Sequence, residues 1–156
     1  MEKLIFLDID GVVVSRNWLT EQHKMGKPWL SSKIEFDPYV LGLLKKLIDK
    51  TGGKIIISST WRKSDKDMNN LKSQFDKYNI PIYGVTINWA TRGMEILKTI
   101  KQLFPEFDRD DDRFVVFDDD MFDIRPFISE YKLIKVNGMN GLIEYDIDRA
   151  ISILNG

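Results

Sequence analysis

The chain has 156 residues, 43% of them hydrophobic and 30% charged, with a formal net charge of −1, one histidine and no cysteine. That length suits a single domain spanning residues 1–156, burying about two-thirds of its unfolded surface, and the composition excludes a disordered chain. Without cysteine there are no disulfides, thiolate metal sites or cysteine nucleophiles; with His23 alone, no zinc centre or histidine triad can form; and near-zero charge gives no global pull toward nucleic acid or anionic membrane.

The chain opens on Leu4-Ile5-Phe6-Leu7, four consecutive apolar residues that read as a strand buried on both faces. It ends in Asp8 and Asp10, spaced i and i+2, followed by Gly11. Side chains alternate along a strand, so both carboxylates can leave on the same side, while Gly11 allows a sharp turn and a close backbone approach. Two like charges at a buried strand tip call for a cation or a reaction between them. An aspartate also interrupts the N-terminal apolar run that a signal peptide needs, and no run reaches membrane-span length, so a cytoplasmic protein is expected.

Residues 15–36 are polar, dotted with aromatics and without clear period. Asp37-Pro38 marks a helix start, Val40, Leu43, Leu44, Leu47 and Ile48 its apolar face, and Gly52-Gly53 its end. The run 54–57 is a second buried strand, leading into Ser58-Ser59-Thr60-Trp61-Arg62. Ser64 then caps a helix with Met68, Leu71, Phe75 and Tyr78 on one face. The strand 81–85 carries Pro81 and Gly84 and belongs near an edge. Thr91 is the expected cap of a helix bearing Met94, Leu97, Ile100 and Phe104.

Asp110-Asp111-Asp112 reads as a solvated loop, since no buried strand precedes it. The fourth strand, 114–117, runs into Asp118-Asp119-Asp120, with Asp123 one helical turn beyond Asp119. A short helix around 126–130, a strand at 133–136, a glycine-bearing turn at 137–141 and a last helix with Ile147, Ala150, Ile151 and Leu154 complete the chain. Alternating helices and apolar strands predict an α/β domain, a parallel sheet of about five strands with helices on both faces. Ligands of such sheets bind at the carboxyl ends of the strands, where Asp8, Asp10, Ser58 and Asp118 to Asp123 all fall. Several carboxylates in one crevice would repel by on the order of several kcal/mol unscreened. A hard, oxygen-preferring ion such as Mg²⁺ relieves that repulsion.

The ordered set Asp8-x-Asp10-Gly11, strand-ending Ser58, and Asp118-Asp119 with Asp123 resembles the haloacid dehalogenase (HAD) superfamily of phosphotransferases. The Ser58-Ser59-Thr60-Trp61-Arg62 string, the Arg92-Gly93-x-Glu95-Ile96 segment and Gly141-Leu142 are similar to HAD domains of multifunctional RNA-repair (Swiss-army-knife) proteins. The resemblance implies a Rossmann-like core, and residues 12–36 resemble the small flap of capless members, which leaves the site open to bulky substrates. It implies Asp8 as the nucleophile that becomes an aspartyl phosphate. Asp10 would be the general acid and then the base, with its backbone carbonyl touching the metal. Ser58 would hydrogen-bond the phosphoryl group. Asp8, Asp10 and Asp119, with Asp118 or Asp123, would hold Mg²⁺. The family also places a basic residue between Ser58 and the acidic tail to neutralise the phosphoryl group; Arg92 is the candidate and Lys98 the alternative, although lysine is the commoner occupant.

Gly11, Ser59, Arg62 and Trp18 are candidate substrate contacts, and Arg62 can equally be a helix-surface charge. Within the flap, Arg16, Lys24 and Lys27 with Trp18 and Trp29 offer the cations and flat rings a nucleotide end would want, or they simply pack an amphipathic flap. The expected function is a Mg²⁺-dependent phosphomonoesterase acting on a nucleotide or a 3′/5′-phosphorylated nucleic-acid end. A small-metabolite phosphatase and a non-catalytic, receiver-like Mg²⁺/phosphate-binding module are the alternatives. A receiver carries its acidic pair on the first strand and its phosphoacceptor on the third, and a Toprim-like domain puts its DxD later; the leading DxDG argues against both.

Overall fold

The computed structural model describes residues 1–156. Five parallel strands, β1 (Lys3–Leu7), β2 (Lys54–Ile57), β3 (Ile82–Val85), β4 (Arg113–Asp118) and β5 (Leu133–Lys135), form one sheet in the order β3-β2-β1-β4-β5. The helices are α1 (Arg16–Lys24), α2 (Pro38–Thr51), α3 (Asp65–Asp76), α4 (Arg92–Leu103) and α5 (Glu144–Asn155). The uniformly apolar runs take the central places because only residues buried on both faces suit them. β1, at 0% exposure from Leu4 through Leu7, is the innermost strand. β3, interrupted by Gly84, lies at an edge as expected.

Alternation along the strands divides the core in two. Ile5, Leu7, Ile57, Val115 and Phe117 face α2, α3 and α5, and Trp18 and Leu19 of α1 pack on the same side. Leu4, Phe6, Ile56 and Val116 face Ile96 and Ile100 of α4 together with Met121, Ile124 and Ile128. The crevice at the strand ends is therefore walled by residues 12–36 on one side and by the start of α4 on the other.

Most helix boundaries follow from their caps. Asp37 accepts the Tyr39 N–H ahead of Pro38, and Gly52 closes α2 in the left-handed conformation at φ 69°. Ser64 caps α3 by accepting from Asp67 N. The expected cap of α4 differs: the Thr91 hydroxyl makes no capping bond and is buried without a partner. Asp123, from the far side of the crevice, accepts the Arg92 N–H instead at 3.2 Å.

Three further local readings are corrected. The region 15–36 contains a helix, α1, capped by Ser15, whose side chain accepts from Trp18 N. Its buried side carries Gln22 beside Trp18 and Leu19, too little apolar residue to register as a period. No helix forms over 126–130: consecutive turns run through 122–127, and a short 3₁₀ turn follows at Glu130–Lys132. Asp112 is not solvated: it is buried and accepts the backbone N–H groups of Glu2 and Asp108. Those bonds hold its carboxyl below the usual range. No helix is long and apolar enough to cross a membrane.

Candidate active site

The parallel register builds the site. Leu7 pairs with Ile57 on one side and Phe117 on the other, so the next residue of each strand, Asp8, Ser58 and Asp118, emerges at one level. Backbone bonds continue the ladder across these positions: Ser58 N donates to Leu7 O at 2.9 Å and Asp8 N to Phe117 O at 3.1 Å. Rigid strands, not loops, thus position three candidate residues.

Asp8 is 5% exposed and Asp118 1% exposed. Arg92, first residue of α4, places Nη1 2.7 Å from Asp118 Oδ2 and 3.5 Å from Asp8 Oδ2. One guanidinium cannot balance two buried carboxylates. Burial first, and then the charge of Asp118, push Asp8 up to about 8 against the opposing pull of Arg92. Burial likewise raises Asp118, offset by its bond to Arg92. Lys98 lies elsewhere, with Nζ 4.0 Å from the centre of the Trp89 ring. Of the two candidate cations, Arg92 is the one that reaches the carboxylates.

Asp119 closes the cluster. Carboxylate oxygens of Asp8, Asp118 and Asp119 lie within 4.8 Å of one another. Two glycines make room for Asp119. Gly11 holds φ +79°, and a Cβ there would overlap the Asp119 carboxylate, with its Cγ at 2.7 Å. A Cβ on Gly138 would lie 2.9 Å from Asp119 Oδ2. Gly138 escaped the sequence reading because it lies in a turn after β5; the only visible signal was the glycine spacing of residues 137–141. Arg16 approaches the same carboxylate from the flap, at 3.9 Å.

Asp10 occupies the rim, where its Oδ1 accepts from Trp61 Nε1 at 3.0 Å. The residue is exposed, yet the surrounding strand ends take enough water from its carboxylate to raise its pKa, with Trp61 opposing. The Ser58 hydroxyl is buried and has no hydrogen-bond partner. An unpartnered buried hydroxyl is costly unless a ligand oxygen completes it.

The remaining candidates have other engagements. Ser59 Oγ accepts from Trp61 N at 3.2 Å, capping the 3₁₀ turn Thr60–Lys63. Arg62 is buried, not a surface charge: it pairs with buried Glu95 at 3.1 Å and donates to the carbonyls of Ser59 and Thr86. Glu95 also accepts from Trp89 N at 2.7 Å, so this pair ties the ends of β2 and β3 to α4. The sequence quoted Glu95 only as part of a string; its role as partner to Arg62 needs the fold. Asp123 meets α4 rather than the three-carboxylate cluster. Trp18 packs on the core and donates Nε1 to Glu35 O at 2.7 Å, while Trp29 stands edge-on to His23.

A five-stranded parallel sheet with helices on both faces, an aspartate pair ending its central strand and acids on the neighbouring strand define a Rossmann-like α/β domain of the haloacid dehalogenase class. The chain belongs to a particular family of that class, described as the HAD domain in Swiss Army Knife RNA repair proteins, whose profile matches residues 4–147. No curated protein matches the chain. At the family level this indicates a HAD-type hydrolase in RNA repair.

Proposed function

We propose that the chain is a Mg²⁺-dependent phosphomonoesterase that acts on phosphorylated nucleic-acid ends through a phosphorylated Asp8. The observation that carries this reading is the meeting of Asp8, Asp118 and Asp119 oxygens within 4.8 Å, beside Arg92 and the unpartnered Ser58 hydroxyl. An all-oxygen donor set fits a hard divalent ion, and like charges this close favour one. Asp8, Asp118 and Asp119 would hold it, with the Asp10 backbone at the rim and Asp123 behind Arg92. Bound there, Mg²⁺ neutralises the carboxylates and the phosphoryl oxygens, so that an anion can approach an anion.

The chain's own groups account for the rest. Asp8 Oδ2 attacks phosphorus while the P–O bond to the leaving group breaks. Asp10, whose raised pKa suits a proton carrier, gives its proton to the departing oxygen. Water then attacks the acyl phosphate, Asp10 takes its proton, and inorganic phosphate leaves with Asp8 restored. Trp61 fixes the Asp10 carboxyl through Oδ1, leaving Oδ2 free for the transfer. Arg92 and Ser58 bind the phosphoryl oxygens as charge and donor.

The test is hydrolysis of 3′- and 5′-phosphorylated oligonucleotides, with Mg²⁺ and with EDTA, by the protein and its Asp8→Asn variant. Turnover and acid-stable phosphoprotein should require both Asp8 and the metal. Undiminished turnover in Asp8→Asn would eliminate the phospho-aspartate route.

A further inference from the structure

Beside the carboxylates, on the α4 side of the crevice, lies a second depression of about 520 Å³, bordered by Thr60, Lys63, Asn88, Arg92, Asp120 and Phe122. Arg92 is common to both, so anything held in this trough adjoins the phosphoryl position. Its volume falls in the range of small-ligand sites, roughly 300–1,000 Å³, but its walls are mostly polar.

Phe122 stands out. It is 86% exposed, the most exposed aromatic side chain of the molecule, between Met121 at 1% and Ile124 at 0%. Its turn is pinned: the Phe122 N–H donates to Asp120 Oδ1 at 3.0 Å, and Ile124 N to Met121 O at 3.1 Å. A fixed turn anchored by two buried neighbours presents a bare ring to solvent beside a reactive centre. Exposure of that apolar face is unfavourable unless a flat partner covers it.

The charges of the trough are largely spoken for. Arg62 pairs with Glu95, Arg92 with Asp118 and Asp8, and Asp123 accepts from Arg92 N. Exposed Lys63 is the lining cation without a carboxylate partner, and Asp120 is exposed. Lys63 follows β2 and Asp120 follows β4, strands on opposite sides of β1. A strand of nucleic acid entering here would keep its next phosphate near Lys63 and away from Asp120. The flap offers less: Trp18 is packed and Trp29 engaged with His23.

We infer that this trough receives the terminal nucleotide of the substrate, with its base stacked on Phe122 and the adjoining phosphodiester against Lys63. The inference rests on the phosphatase reading above and supplies it with a specificity site. Base stacking on an aromatic residue is sequence-tolerant, as suits an enzyme working on ends rather than on sequences.

The test compares the protein with Phe122→Ala, Phe122→Tyr and Lys63→Ala on four substrates: a 5′- or 3′-phosphorylated oligonucleotide, a mononucleotide, glycerol phosphate and a tyrosine-phosphorylated peptide. For Phe122→Ala, kcat/KM on both nucleotide substrates should fall roughly tenfold relative to glycerol phosphate, and Phe122→Tyr should restore it. Lys63→Ala should weaken the oligonucleotide alone and flatten its salt dependence by about 0.7 in log–log slope. An unchanged substrate ratio in Phe122→Ala overturns the assignment. So does a tyrosine-phosphorylated peptide outperforming every oligonucleotide. Binding of a fluorescent phosphorylated oligonucleotide to the Asp8→Asn protein separates the two levels. Phe122-dependent binding without turnover in the parent protein would uphold the trough while removing the phosphatase reading.

Discussion

Strand β4 runs between two triplets of aspartate, Asp110-Asp111-Asp112 before it and Asp118-Asp119-Asp120 at its end. In the first, Asp112 is buried but accepts the N–H groups of Glu2 and Asp108, so its charge is favoured and its pKa lowered. In the second, burial disfavours the charge of Asp118 and raises its pKa against the opposing pull of Arg92, a guanidinium it shares with Asp8, and Asp119 lies within reach. The same residue type, at the two ends of one strand, thus staples one end and loads the other. What decides is how burial is compensated: two backbone N–H groups satisfy Asp112, whereas the guanidinium that Asp118 bonds is shared with a second buried carboxylate.

The largest consequence should appear in metal binding. If Asp119 is a Mg²⁺ ligand as proposed, Asp119→Ala should lower Mg²⁺ affinity by roughly 10-fold or more, while Asp112→Ala should leave it unaltered; titration calorimetry reads both. Equal affinity in the two variants would erase the distinction between the ends of β4. Stability should invert that order. Asp112→Ala abandons two N–H donors and should cost about 1–3 kcal/mol by denaturant unfolding. Asp8→Asn, which keeps an acceptor for the Ile9 N–H, should instead raise the melting temperature of the metal-free protein.

A smaller effect is set by pH. Asp8 moves from the ordinary 3.8 of an unfolded carboxyl to about 8 when folded. Between those values the folded chain binds the extra proton, so this group makes metal-free stability fall as pH rises. Asp112 has the opposite sign: its stabilisation is present above 3.8 and lost on acidification below it. Metal-free protein should therefore melt higher at pH 5 than at pH 8, and Mg²⁺ should raise the melting temperature mainly at pH 8. A Mg²⁺ effect equal at both values would show that the cation does not discharge Asp8.

Much of this was legible in the residues. The apolar runs ending in Asp8, Ser58 and Asp118 gave the strands, and their shared polar endings gave the crevice, because burial on both faces leaves a periodicity-free signature that few other elements share. What stayed hidden depends on partners distant in sequence. Nothing local distinguishes Asp112 from Asp111, or tells that Asp123 caps a helix beginning at Arg92. Arg62 looks like a surface cation until Glu95 is brought beside it by the docking of α4. The α1 helix was missed for a different reason, as its buried face includes a glutamine.

The order in which the strands occur along the chain has a kinetic meaning. β1 is first in sequence, but its neighbour β4 comes about 110 residues later. Asp8 is therefore synthesised about 110 residues ahead of the strand that brings Asp118 beside it and helps to bury it. The like charges are brought together only by the long-range docking of β4 on β1, the kind of contact that slows folding most. β1, β2 and α2 are contiguous enough to pair before β4 arrives, and the charged crevice exists only once β4 has docked.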